Sequence, residues 1–340
     1  MKIRYIFGCL MLISFSMHLT MEFLIAFCET SSLYWYHSKT RELNPDSEIL
    51  VLGDSQIISG ITPEMISGWE KITLSQIQYA PRPSEQPEGI LDEYLFYISK
   101  LSKVKKIYVN ISPISLSKNT VTDAHKQLFT SFGVLRSEHI TNEYLRKSYF
   151  ANGYDFFWKL TIQIFPFFAL NPNFSKLAQT GFEKNLLEAR KLENQIIKTK
   201  ISEDGGSWVW RDKGNFPVLA EDSKQLENST TVFLNQRNQS QKIWKDCFRL
   251  WKEKGITVVL LRLPFSPQME ADIVKTKSNL PLERFLESEG LSYFDLREDG
   301  FEDSKFFADF THLNQTGRSV LLNKLGIRLF DKASPTPKSM

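Results

Sequence analysis

The chain has 340 residues, 42% hydrophobic and 24% charged, with a formal net charge of +3; those proportions are globular, and the length suits about two domains or one large one. A charge this close to balance gives no ground for nucleic-acid binding. The three cysteines, Cys9, Cys28 and Cys247, have no metal-ligand spacing, and two lie in or beside the N-terminal apolar stretch, which argues against a disulfide framework.

Lys2 and Arg4 precede an apolar run from Tyr5 to Leu19, which resumes as Phe23 to Phe27 after Thr20 and Glu22. Positive charge ahead of such a segment reads as a secretory signal or signal-anchor. The run is long enough for a bilayer, where about 20 helical residues suffice. His18 and Glu22 are ionisable residues at odds with hydrocarbon, and an outer-interface position would suit both. There is no Ala-x-Ala cleavage pattern, and bulky Phe27 before Cys28 argues against lipidation. The expectation is an uncleaved single-pass anchor over residues 1–30, with the remainder outside the cytoplasm, in a periplasmic setting. The apolar segment from Phe156 to Leu170 is shorter and interrupted by Lys159 and Pro166, so it is expected in a core or lying on a surface.

Residues 31–47 are polar and aromatic, a linker. Glu48 to Leu52 is a continuous apolar run closed by Gly53, as buried parallel strands tend to be. Gln56 to Ile61 begins a helix with Ser55 at its mouth. Thr62-Pro63-Glu64 supplies an N-cap, an N1 proline and an acidic first turn. Lys71 to Ile77 alternates roughly and is assigned as a second strand. Gly89 to Leu101 has apolar residues at three- and four-residue steps, a helix. Lys105 to Ile111 is a third strand, ended by Ser112-Pro113. Strand, loop, helix and strand in this rhythm imply a parallel sheet with right-handed crossovers.

Residues 117–250 break that rhythm and are read as a helical insertion, with helices over Phe182 to Lys200 and Val232 to Lys254, the latter stopped by Gly255. Trp208 and Trp210 lie in an irregular stretch between them and suit either packing or stacking on sugar rings. Ile256 to Leu261 is a fourth strand, Pro281 to Glu289 a helix, Leu291 to Leu296 a fifth strand, and Leu313 to Phe330 the last helix. An α/β domain over 48–330 follows, with a five-stranded, mainly parallel sheet. Residues 331–340 read as a disordered tail.

Two stretches carry chemistry. Open α/β sheets bind ligands at the carboxyl ends of their strands, which is where Gly53-Asp54-Ser55 falls. A serine needs a base within hydrogen-bond reach to act as a nucleophile. Of the five histidines, His312 alone falls near the predicted strand ends, and Asp309 three residues earlier is placed to fix its tautomer. Taken singly, each motif has a plainer reading: Asp54 and Asp309 as helix caps, His312 as a surface histidine.

The pair of blocks, Gly53-Asp54-Ser55 near the front and Asp309-x-x-His312 near the back, resembles the SGNH/GDSL hydrolase superfamily. It is most similar to the membrane-anchored branch that includes alginate O-acetyltransferase-type and teichoic-acid D-alanine transfer proteins, together with an uncharacterised spirochaete family. The resemblance implies a flavodoxin-like three-layer sandwich, Ser55 as nucleophile, His312 as base, Asp309 as orienting acid, and neither metal nor organic cofactor. It further implies an oxyanion hole. The family's glycine is missing from the loop Gln78-Tyr79-Ala80-Pro81-Arg82-Pro83, which leaves the Ala80 amide as candidate donor, since Pro81 has none. Asn110 matches the family's third-block asparagine, or is a strand-end residue bonding backbone. Arg262, after the fourth strand, adds a positive charge there or forms a rim salt bridge. The expected function is a membrane-anchored serine esterase or O-acyltransferase acting on an envelope carbohydrate or lipid ester, with a membrane partner as possible acyl donor. The alternative is a degenerate, non-catalytic envelope module that binds glycan or a partner protein.

Overall fold

The computed structural model describes residues 2–27, 31–82, 87–116, 132–150, 153–170, 183–203, 238–277, 279–297 and 300–331, with 175, 178, 179, 181, 206 and 207. In chain order the described elements are α1 (Lys2–Ile25), α2 (Ser31–Arg41), β1 (Ile49–Leu52), α3 (Ser55–Gly60), α4 (Pro63–Glu70), β2 (Ile77–Tyr79), α5 (Pro87–Ile98) and β3 (Lys106–Asn110). There follow α6 (Glu138–Thr141), α7 (Glu143–Tyr149), α8 (Gly153–Ile164), α9 (Lys184–Glu203), α10 (Asn238–Glu253), β4 (Thr257–Arg262), α11 (Pro267–Lys275), α12 (Leu280–Ser288), β5 (Tyr293–Asp295) and α13 (Gln315–Asp331). The chain divides into two compact units, Met1–Glu42 with Val121–Asp204, and Leu43–Thr120 with Gly205–Met340.

The second unit holds a five-stranded sheet in the order β2-β1-β3-β4-β5. Every pairing is parallel, and the order is that of flavodoxin-like doubly wound sheets. β1 is buried along its length because both faces are covered. Ile49 and Val51 join a cluster with Ile57, Ile61, Ile66, Leu313 and Leu321 from α3, α4, α13 and its approach. Leu50 and Leu52 alternate to the opposite face and are equally buried. On that face α5 and α10 meet through Tyr94 and Trp251, ring centroids 5.8 Å apart and edge to face. The chain leaves β1 for β2 on one side and returns to β3 on the other. The crevice of this sheet therefore opens at the carboxyl ends of β1 and β3.

Three elements differ from the sequence reading. β2 is not Lys71 to Ile77 but Ile77–Tyr79, preceded by a 3-10 turn over Leu74–Gln76. Thr73 donates both its N–H and its hydroxyl to Gln76 Oε1 in that turn, which closes the segment before it extends. Residues 31–41 of the predicted linker form α2, which packs against α9 in the first unit, with Lys198 Nζ 4.1 Å over the Trp35 ring. From the predicted insertion 117–250, α10 packs on the sheet, with Trp244, Cys247 and Trp251 fully buried. Trp208, Trp210 and residues 332–340 lie outside the described residues.

In the first unit, α1 contains a 22-residue stretch, Arg4–Ile25, long and apolar enough to cross a membrane. Most of its large apolar side chains are exposed.

Candidate active site

Ser55 owes its position to the turn that leaves β1. Gly53 has φ +136°, and a Cβ there would lie 2.2 Å from Asn110 Oδ1 and 2.7 Å from Ile57 Cγ1. Only glycine lets β1 pass this close to the end of β3. Asp54 then caps α3, its Oδ1 accepting from the Gln56 N–H at 2.8 Å. Ser55 is the first helical residue, so its N–H faces no carbonyl a turn earlier.

The histidine arrives on a tight loop. Phe307 and Leu313 pair antiparallel, and the Ala308 N–H donates to the His312 carbonyl at 2.8 Å. Inside the loop, Asp309 Oδ1 accepts from the Thr311 N–H (2.8 Å), the His312 N–H (3.0 Å) and the Thr311 hydroxyl (3.1 Å). This side-chain turn folds the imidazole back onto its own aspartate, with His312 Nδ1 2.7 Å from Asp309 Oδ2. His312 Nε2 lies 2.7 Å from Ser55 Oγ, across 257 residues of sequence.

Burial works against ionising Asp309. The hydrogen bond to His312, the His312 charge, and the Thr311 and His312 amides outweigh it and hold the carboxyl down at about 2. An ionised Asp309 can only accept, so Nδ1 carries the ring proton and Nε2 turns its lone pair to Ser55. The relay faces solvent at its acid end, the Asp309 side chain being 48% exposed and His312 21%.

No protein-family model and no curated protein matches the chain.

The other candidates sit nearby, engaged as follows. The Ala80 N–H donates to the Val51 carbonyl at 2.9 Å, and the Arg82 N–H to the Gly53 carbonyl at 2.7 Å, continuing the β1–β2 ladder. Asn110 closes a reciprocal pair with Asp54: its Oδ1 accepts from the Asp54 N–H at 3.0 Å, and its Nδ2 donates to Asp54 Oδ1 at 2.8 Å. Burial pushes the Asp54 carboxyl up, opposed by the Gln56 amide, the Asn110 side chain, and the charges of His312 and Arg262. Arg262 is fully buried. It donates to the Leu263 carbonyl at 2.7 Å, pairs with Glu270 at 3.3 Å and stacks 4.6 Å from the Phe265 ring centroid. Glu270 continues to Arg297, which pairs with Asp295. Burial lowers the Arg262 guanidinium to about 10, which leaves it charged at neutral pH. Among the described residues no cluster of three or more His, Cys, Asp or Glu is arranged to hold a metal ion.

Three residues that hold the site in place are missing from the sequence reading. Gln56 Nε2 donates to the Thr311 carbonyl at 3.2 Å, tying the serine helix to the histidine loop. Arg318, on α13, donates to the Ser59 and Ile58 carbonyls at 2.8 and 3.0 Å and so fixes the far end of α3. Asn314 bonds the Phe306 carbonyl through its N–H (3.0 Å) and caps α13 by accepting from the Gly317 N–H (2.9 Å). Asn314, two residues past His312 and just before a helix, was recognisable as a cap. The contacts of Gln56 and Arg318 join segments too far apart for any local pattern.

Proposed function

We propose that the chain is a membrane-anchored serine esterase or O-acyltransferase of the SGNH-like kind, acting on a carbohydrate or lipid ester of the cell envelope. The observation that carries this reading is the unbroken run from Ser55 Oγ to His312 Nε2 and from His312 Nδ1 to Asp309, each link 2.7 Å. Ser55 Oγ attacks the ester carbonyl carbon while His312 Nε2 takes its proton. The tetrahedral intermediate collapses, the bond to the alcohol oxygen breaks, and His312 returns the proton to that oxygen. Water or a sugar hydroxyl then gives a proton to His312 and attacks the acyl-serine, which regenerates Ser55. Asp309 stabilises the imidazolium formed in each half. The Ser55 N–H, at the first position of α3 with no intrahelical acceptor, is a candidate to stabilise the developing oxyanion.

Lys2 and Arg4 at the start of α1 favour a cytoplasmic N-terminus, with the catalytic unit on the far side of the membrane. There, envelope esters are the available substrates, and a membrane partner is a natural acyl donor. The test is labelling by an active-site fluorophosphonate. The full-length protein is expected to label and Ser55→Ala not to; equal labelling of both removes the acyl-transfer reading.

A second reading is a non-catalytic envelope module. The engagement of the Ala80 amide by Val51 and of the Asn110 amide by Asp54 favours it, because removing one oxyanion donor typically lowers the rate by about 10²–10³. Hydrolysis of a soluble aryl ester that disappears in His312→Ala would eliminate this second reading.

A further inference from the structure

The helix α8 and the 3-10 turn after it, Pro166–Leu170, present an apolar face that the first unit does not cover. Tyr154 and Phe157 are 71% and 67% exposed, and Leu160, Ile164 and Phe168 continue the same stripe. On a helix these positions recur at three- and four-residue steps and share one side. The basic residue of α8, Lys159, is turned inward, fully buried, and donates to the Gly133 carbonyl.

The end of α8 is built in an unusual way. The last carbonyls of a helix have no partner within it, and in water they need none from protein. Here the Ile164 carbonyl accepts from the Ser14 hydroxyl at 2.5 Å, and the Gln163 carbonyl is paired with His18 Nε2 at 3.1 Å. Both partners come from α1. Ser14 stands midway along Arg4–Ile25, roughly 15 Å from either end at ~1.5 Å per residue, close to the centre of a ~30 Å hydrocarbon core. Backbone at that depth must be satisfied by protein, because no water reaches it. The α8 helix, 12 residues long, spans about 18 Å at ~1.5 Å per residue, which matches the distance from a membrane interface to the midplane. The polar residues that sit awkwardly in the anchor thus have a use: they cap the helix end beside them.

We infer that Gly153–Leu170 is a second membrane-embedded element, entering the bilayer beside the anchor without crossing it, and that lipid acyl chains cover its exposed face. This rests on the reading of α1 as a retained anchor. The inference fits the paired carbonyls, the inward lysine and the uncharged stripe together. Pro166, which has no N–H to continue the helix, lies two residues past its end at Ile164 and opens the 3-10 turn.

The test uses the full-length protein with Cys9, Cys28 and Cys247 replaced by alanine and an environment-sensitive fluorophore on one introduced cysteine. The sites are Phe157→Cys, Leu160→Cys, Leu12→Cys in the anchor, and Lys147→Cys on α7, whose side chain is 62% exposed. The protein is reconstituted in phosphatidylcholine nanodiscs and challenged with doxyl-labelled lipid or aqueous iodide. Probes at 157 and 160 are expected to lose emission to doxyl lipid, as at 12, and to resist iodide, while the probe at 147 responds to iodide. Iodide quenching at 157 and 160 overturns the inference. Protection from both quenchers overturns it too, since protein rather than lipid then covers the face. The probe at 12 separates the causes: lipid contact there with iodide access at 157 leaves the anchor intact and defeats only the second element. An unlabelled arm guards against disturbance by the fluorophore. Amide exchange over 153–164 is expected to be much slower in nanodiscs than over α7, and equal exchange counts against burial in lipid.

Discussion

Gly53→Ala is a demanding perturbation of the site that removes no atom of the Ser55–His312–Asp309 hydrogen-bonded run. Its new Cβ would fall 2.2 Å from Asn110 Oδ1 and 2.7 Å from Ile57 Cγ1, at a φ of +136°. The backbone conformation costs about 1–3 kcal/mol for a residue with a side chain, and overpacking against Asn110 and Ile57 adds about 1–3 kcal/mol. Asn110 has little room to yield, because it holds the Asp54 amide and carboxylate at once. A total of about 2–6 kcal/mol corresponds to a fall in Tm of roughly 4–24 °C for a unit of this size. If the fold survives, Asn110 must swing away, Asp54 follows it, and Ser55 shifts against His312. A displacement of ~1 Å lowers rates by about 10². The assay pairs a thermal melt with the second-order rate of fluorophosphonate labelling. A variant that melts within 1–2 °C of the parent (about 0.5 kcal/mol) and labels at the parental rate would refute the close approach of β1 and β3 on which the site is built.

Two further substitutions address the carboxylates. Asp309→Asn keeps the loop's shape but leaves His312 without an anionic partner to set its tautomer, so labelling should slow by about 10³–10⁴; a loss under tenfold argues that Asp309 does not orient the ring. Because the folded Asp309 is held at about 2, below its ordinary 3.8, its stabilisation is complete above about pH 4 and is lost as pH falls toward 2. Acid melts should therefore show a stability decrement in that window for the parent that Asp309→Asn lacks, and identical acid limbs would contradict the assignment. For Asp54 the sign is opposite. Burial raises its folded value, so ionisation at neutral pH works against the fold, and the penalty fades as pH falls through that raised value. Asp54→Asn keeps an acceptor for the Gln56 amide and removes the buried charge, so it should match or exceed the parent's Tm at pH 7, with the advantage shrinking in acid. A clear loss of stability at pH 7 would show that the charge itself is needed.

How far the sequence reveals this molecule depends on how local each cause is. β1 is legible because four apolar residues buried on both faces leave a continuous run, and the glycine that ends it answers a backbone need at that spot. Asp309 and His312 are legible as a pair because the carboxylate that orients the ring also caps its turn, all within four residues. β2 misleads for the same local reason. Ile72 and Leu74 alternate with polar neighbours as a strand would, yet Thr73, Ser75 and Gln76 bond one another and wind that stretch into a turn. The strand itself is only Ile77–Tyr79, too short for alternation to register. Its burial depends on Tyr79 reaching the Ile57 and Ile61 carbonyls. The position of Asn110 at the end of β3 was legible, but not its partner, because the hydrogen bonds with Asp54 join the ends of two strands that become neighbours only in the folded sheet.

The same distinction governs what can be asked of the two motifs. A single hydrogen bond between a serine and a histidine contributes about 1 kcal/mol net, too little to hold ends of a chain 257 residues apart against the entropy of separating them. The contact exists because other groups have already fixed both sides. Leu313 and Leu321 enter the same core as Ile57 and Ile61. Arg318 gathers the carbonyls at the end of α3, and Gln56 reaches the histidine loop directly. The relay is thus a consequence of how α13 packs on α3. A chain with both motifs but an apolar residue at position 318 would leave two α3 carbonyls buried without donors, each a loss of about 1–3 kcal/mol. The helix end would then shift to find water, and Ser55 would move with it. Whether such a chain could bring its hydroxyl to within 3 Å of its imidazole is decided by residues outside either motif, and that is where a search for active relatives of this fold should look first.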